Sequence, residues 1–230
     1  MKVVDKIEIK GISECKITFI RINPEDKKDT IKKILEQISN LSWIDKLMPD
    51  ELKNSMRARV DPTVDFLDKQ LSNNNEDEIT SKTGEYFVSE IARETIINGL
   101  EYSDIPLAEL RKEKVSGNPG FDYHSENKNN IIIFGEAKYV AGQNAYGRAL
   151  KQVVEFIDAK KDLKELTELT YFVSNEAIKN ANLERKGYAI GFSSYSTSSE
   201  DLISNIRKSK HFKKIIRYEE IIIVAVDING

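Results

Sequence analysis

A chain of 230 residues and 26.3 kDa, 40% hydrophobic and 32% charged, can bury one sizeable core or build a catalytic domain with a small N-terminal addition. Its formal net charge of −3 argues against a strongly basic nucleic-acid coat, although 35 Lys and Arg leave room for a local cluster. A single Cys15 and two histidines, His124 and His211, exclude an internal disulfide and a Cys/His zinc site, so that any metal is expected to be oxygen-bound.

No apolar run approaches the roughly 18–20 residues needed to span a bilayer, and MKVVDKIEIK lacks the apolar centre of a secretory leader. A cytoplasmic setting without membrane contact is the expectation. Residues 6–10 (KIEIK) and 16–22 (KITFIRI) alternate and read as a hairpin or two edge strands. Asn23-Pro24-Glu25-Asp26 then supplies a turn and a helix start, with Ile31, Ile34, Leu35 and Ile38 at helical spacing. A second helix is expected over about 49–71, interrupted by Pro62, with Met48, Leu52, Met56 and Val60 on its apolar side and Trp43 packed near the joint. The polar, acidic stretch 72–82 (SNNNEDEITSK) reads as a linker or surface loop, which divides the chain into an N-terminal α+β extension, 1–82, and an α/β core, 83–230.

After Thr83 the spacing predicts a helix over 84–100, with Phe87, Val88, Ile91, Ala92, Thr95 and Ile96 as its buried stripe and Glu85, Glu90 and Glu94 on or near it. PLAELRKEK offers one helical turn. Ser116-Gly117-Asn118-Pro119-Gly120 reads as a tight turn, or as backbone able to approach a phosphate.

Residues 121–126 and 131–139 read as two strands closed by the Asn-rich segment between them. If Asn127 faces Ile131 across a three-residue loop, antiparallel counting sets Asp122 opposite Glu136, and strand alternation sets Lys138 on the same face. Two carboxylates side by side repel unless a cation lies between them, and a hard divalent ion such as Mg²⁺, or Mn²⁺, suits that donor set. A lysine beside them can orient or deprotonate a water and offset charge developing on a phosphate. Tyr123 is expected on the opposite, core-packing face, and His124 on the Asp122 face as a local hydrogen-bonding residue.

A helix follows over about 144–160, with Leu150, Val153, Val154 and Ile157 towards the sheet and Gln143, Arg148, Lys151 and Gln152 as polar candidates for phosphate contact. Beyond it, 167–174, 187–192 and 215–226 read as strands, and 176–184 and 200–208 as helices, giving an α/β layered domain around a mixed sheet. Arg207, Lys208, Lys210, Lys213, Lys214 and Arg217 make the strongest basic patch, able to track a nucleic-acid backbone or simply to solvate a helix end.

Asp122 in GFDYH with Glu136-Ala137-Lys138 in GEAKY resembles the PD-(D/E)xK nuclease superfamily, whose restriction endonuclease-like core is a mixed sheet flanked by helices. The resemblance covers about 84–173, with Phe121 where the name-giving motif has Pro. It implies a Mg²⁺-dependent endonuclease acting on DNA, or on RNA, with Asp122, Glu136, Lys138 and a helix glutamate as the catalytic set. Glu90 is the first choice for that fourth position and Glu85 the alternative. Gln152 followed by Phe156 is similar to the Gln-and-aromatic spacing of the RecB-like branch and implies a substrate-binding role, with Arg148 and Lys151 as rivals. Restriction and phage-defence nucleases of the superfamily, including the Hachiman-type effector, are similar in carrying an unrelated N-terminal extension. That setting implies antiviral defence beside a helicase on a separate chain, because this sequence has no phosphate-binding Gly-x-x-x-x-Gly-Lys-Ser/Thr loop of its own. The alternative is a catalytically inactive domain of the same fold that binds nucleic acid or a protein partner.

Overall fold

The computed structural model describes residues 1–47, 50–72, 81–111 and 120–228. Six strands form one mixed sheet. In chain order they are β1 (Lys2–Glu8), β2 (Lys16–Asn23), β3 (Tyr123–Glu126), β4 (Ile132–Lys138), β5 (Gly187–Ser194) and β6 (Glu220–Asp227), and their spatial order is β1-β2-β6-β5-β4-β3. The four inner strands are parallel to one another, and an antiparallel partner closes each edge, β1 on β2 and β3 on β4. The strands therefore mix the two ladder types, with the apolar run IIIVAV of β6 buried at the centre.

Helices cover both faces. On one lie α1 (Lys27–Ser39), α2 (Glu51–Ser72), α3 (Ser81–Leu100) and the short α4 (Ala108–Arg111), around a core that includes Ile34, Met56, Val60, Phe87, Val88, Ile91, Ile133 and Val224. On the other lie α5 (Tyr146–Asp158), α6 (Lys161–Leu169), α7 (Asn175–Asn182), α8 (Ser199–Lys208) and α9 (Lys210–Ile215), around Phe121, Phe134, Val153, Tyr188, Phe192 and Phe212. A sheet whose two faces are both apolar has to be covered twice, which is why the odd and even residues of β4 and β6 are buried alike. The α/β class with a mixed, helix-flanked sheet is as expected.

Several elements follow the sequence reading closely. Asp26 caps α1, its side chain accepting from Asp29 N at 2.9 Å. All six residues of the apolar stripe expected on α3 are buried. Others differ. The first 82 residues supply two strands of the same sheet, because β2 pairs along its length with β6; the sheet runs across the boundary expected at 82. Pro62 lies inside α2, which is not interrupted there. Residues 167–174 form no strand: α6 runs to Leu169, a turn follows, and Ser174 caps α7. The last strand begins at Glu220 rather than near 215, since 210–215 is α9. Met48, the centre of the expected linker (73–80) and Ser116 to Pro119 of the expected tight turn lie outside the described residues.

Candidate active site

The β3–β4 hairpin has the register counted from the sequence. Asn127 N donates to Ile131 O at 3.0 Å, the side chain of Asn127 accepts from Asn129 N and Ile131 N, and Tyr123 pairs with Gly135. Asp122 stands one residue beyond the ladder, opposite Glu136. There its carboxylate takes over the acceptor role of a strand carbonyl, with Oδ2 accepting from Ala137 N at 2.7 Å. The strand ends because a side chain replaces its backbone, and that hydrogen bond holds the Asp122 carboxylate beside Glu136.

Glu136 is fully buried, and among the described residues its Oε2 has no hydrogen-bond partner. Among the described residues its one close countercharge is Lys138 Nζ, 2.9 Å from Oε1. Burial, and next the neighbouring Asp122 charge, push the Glu136 carboxyl well above the ordinary glutamate value, against the pull of Lys138. Burial alone would make the Lys138 ammonium more acidic. The carboxylates of Glu136 and Asp122, with Glu85 behind them, outweigh that and hold its pKa above the ordinary lysine value. Lys138 thus holds its proton more tightly than an ordinary lysine, which suits it to orienting a water or offsetting charge.

The helix carboxylate nearest the site is Glu85, with Oε1 3.4 Å from Lys138 Nζ. Gly84 explains the approach. A Cβ at this position would lie inside the Tyr139 ring, so only glycine lets the first turns of α3 pack against the end of β4. Glu90, the first choice from sequence, lies away from Lys138, paired with a different cation. It is buried in an ion pair with Arg93, Oε1 to Nη2 2.5 Å and Oε2 to Nε 2.8 Å, and Arg93 also pairs with Asp104. Five residues of helix turn Glu90 to a different side of α3 from Glu85. The signal was present in the sequence, since Arg93 at i+3 is the natural partner of Glu90.

Tyr123 points to the face opposite Asp122 and fills the space that a side chain on Gly135 would occupy. His124 lies fully buried between Arg111 Nη2, 2.8 Å from Nδ1, and Glu165 Oε2, 2.7 Å from Nε2. Arginine has only donors, so Nδ1 accepts and the Nε2 proton faces Glu165. Glu165 Oε1 also accepts from Phe121 N at 3.0 Å, which ties the residue before Asp122 to α6. This support was not foreseen, because its members are scattered along the sequence.

Phe156 packs edge-on against Phe121, ring centroids 5.2 Å apart. Gln152 is half-buried on α5, Arg148 is exposed, and Lys151 is exposed in a 3.4 Å pair with Glu155. None of these three makes a hydrogen bond or ion pair with Glu136 or Lys138; the structure joins Asp122, Glu136, Lys138 and Glu85. Among the described residues, no three His, Cys, Asp or Glu side chains form a group able to hold one metal ion. Asp122 with Glu136 remains a two-carboxylate pair, which suits Mg²⁺ because that ion keeps several waters and needs only one or two protein carboxylates. The buried Glu136 Oε2, without a partner among the described residues and beside the Asp122 charge, is the observation that fits a cation. No described helix is long and apolar enough to cross a membrane. No protein-family model matches this chain, and no curated protein sequence is significantly similar to it.

Proposed function

We propose that the protein is a metal-dependent phosphodiesterase that cleaves DNA or RNA at the Asp122, Glu136 and Lys138 cluster. The observation that carries this reading is a fully buried carboxylate, Glu136, with an acidic neighbour, a lysine 2.9 Å from Oε1 and no partner on Oε2 among the described residues. Burying such a group costs several kcal/mol of desolvation, and an arrangement that disfavours its own apo charge state is the kind found at functional sites.

Asp122 and Glu136 would hold Mg²⁺ or Mn²⁺, which when bound supplies charge stabilisation of a phosphate and acidification of a water. Asp122 is kept in place by Ala137 N, and the buried Glu136 presents its carboxylate without competition from water. Lys138, partly open to solvent, donates to a phosphate oxygen as negative charge builds there. Glu85 orients the ammonium from the other side. In the reaction, the water oxygen bonds to phosphorus as the ester bond to the leaving sugar oxygen breaks; the water loses a proton to solvent and the leaving oxygen takes one up. A restriction or phage-defence setting, with a separate helicase, belongs to the resemblance and is proposed only as such.

A second reading is a catalytically silent domain that binds nucleic acid or a protein. It is favoured by the lack of a three-ligand metal group among the described residues. Cleavage of single- and double-stranded DNA and RNA with Mg²⁺ or Mn²⁺ separates the two. Activity that is present in the wild type and lost in Glu136→Ala and Lys138→Ala supports the enzyme. Nucleic-acid binding without cleavage under every metal condition supports the silent domain.

A further inference from the structure

The chain has 38 acidic against 35 basic residues, yet residues 202–218 carry Arg207, Lys208, Lys210, Lys213, Lys214 and Arg217 with no Asp or Glu among them. The fold turns these cations outward. Leu202 and Ile206 anchor α8, Phe212 and Ile215 anchor α9, and all six basic residues are exposed. Ser209 ends α8 and caps α9, its hydroxyl accepting from His211 N at 3.3 Å, so a single residue separates Lys208 from Lys210 at the corner. Among the described residues, none of the cations from Arg207 to Lys214 forms an ion pair, whereas Arg217 folds back onto Tyr218, 2.9 Å from its hydroxyl.

α9 packs against α5. The partly buried His211 is made more acidic by burial and then by Lys210 and Lys214, with Glu155 opposing and Lys151 of α5 adding to the effect. Charges from both helices thus act at one imidazole, and the α5 helix against which α9 packs adds an exposed lysine, Lys151, which is paired with Glu155 at 3.4 Å. Helix ends alone do not account for the basic residues. Arg207, Lys208, Lys213 and Lys214 lie in last turns, where the helix dipole favours cations, but Lys210 opens α9, where the dipole disfavours one.

We propose that the outer face of α9 with the adjoining turns of α5, presenting Lys151, Lys208, Lys210, Lys213 and Lys214, is the track for the phosphodiester backbone of the substrate cleaved at Glu136 and Lys138. The inference rests on the phosphodiesterase reading for its ligand class. Two observations favour nucleic acid over a lipid surface. The large exposed hydrophobics, Met1, Val3, Val4, Tyr171, Leu183 and Tyr195, include none from 202–218, so this face carries no apolar wedge to insert among lipids. In addition, α5 follows β4 and runs back along the sheet from the end that carries Lys138. Lys151, five residues into the 13-residue α5, lies about 8 Å along its axis from the helix start, on the half of α5 nearer the end of β4 that carries Lys138. Lysines acting as point charges suit a backbone track indifferent to base sequence.

The test is fluorescence anisotropy with labelled 20-mers of single- and double-stranded DNA and RNA, in EDTA so that no cleavage intervenes, over a series of NaCl concentrations. The wild type is compared with a Lys210→Glu, Lys213→Glu, Lys214→Glu triple variant, with the same three changed to Gln, and with Lys2→Glu, Lys10→Glu, Lys32→Glu as a control of equal charge change. Affinity reduced about 10-fold or more in the first variant, less in the second and little in the control, with a shallower salt slope in both face variants, is the expected result. Equal losses in the face and control variants, or no salt-dependent binding by the wild type, overturn the proposal, as does face-dependent binding to phosphatidylserine vesicles but not to nucleic acid. Face-dependent binding with no cleavage in metal would sink the phosphodiesterase reading while leaving the track. Cleavage that is indifferent to the face variants would do the reverse.

Discussion

Glu136 and Glu90 are both buried glutamates, and what surrounds each sets opposite expectations for its removal. Glu90 has a complete guanidinium partner in Arg93, so Glu90→Gln leaves a buried cation short of charge and should destabilise the fold by about 3–5 kcal/mol in urea unfolding. Glu136 is paired with Lys138 through Oε1, but burial and the Asp122 charge outweigh that pair and its Oε2 has no partner among the described residues. Glu136→Gln should therefore leave the metal-free protein as stable as the wild type or more so, while metal-dependent cleavage falls by 100-fold or more. A large loss of stability in Glu136→Gln would show that the carboxylate is structural. Glu94 supplies the pH test. Burial, and then the nearby Glu90, raise its pKa, so the native state holds a proton that the unfolded chain releases. Stability from this group is complete below the ordinary glutamate value of 4.5 and is lost as pH rises through the raised native value. Glu94→Gln should flatten that decline in urea midpoints measured from pH 4 to 8, and an unchanged slope would refute the assignment. Cys15 is buried, with its thiol pushed up to about 12 chiefly by burial and next by Glu220; it should resist thiol reagents at pH 8 until the protein unfolds.

Among the elements, α2 and the hairpin show where local rules hold and where packing overrides them. Proline is a helix breaker by steric and hydrogen-bonding rules, yet α2 passes through Pro62 because Met56 and Val60 before it and Thr63 after it are buried on the same helix. Pro62→Ala should restore a helix hydrogen bond and raise stability by about 1–3 kcal/mol, read as a shift of the thermal midpoint. The expected strand at 167–174 failed for a related reason. TELTYFVS has strand-like composition, but Leu166 and Leu169 bury on helical spacing and Ser174 starts the next helix. The β3–β4 hairpin was legible because its loop chemistry and its alternation agree, with Asn127 organising the turn through its own side chain. Glu85 was harder to choose, since its position depends on Gly84 meeting the Tyr139 ring some fifty residues away in the chain, a contact no local pattern contains.

For the whole molecule, the consequential feature is the place of β2, which pairs in parallel with β6 and fills the sheet on that side. A chain beginning at Thr83 would leave the apolar IIIVAV of β6 as an open edge, so it should be insoluble or aggregate, whereas a division at that point between independent units would yield a folded 83–230 fragment. Light scattering and circular dichroism of that fragment decide between them. Sequence by itself determined the α/β class, most of the helices, the hairpin and its register, and the meeting of Asp122, Glu136 and Lys138, because each depends on periodicity or on contacts within a few residues. Only the tertiary structure decided that the N-terminal strands belong to the central sheet, that Glu85 and not Glu90 lies against Lys138, and that α9 with its basic residues packs against α5. These depend on which distant surfaces pack together, and side-chain spacing along one chain carries no record of that choice.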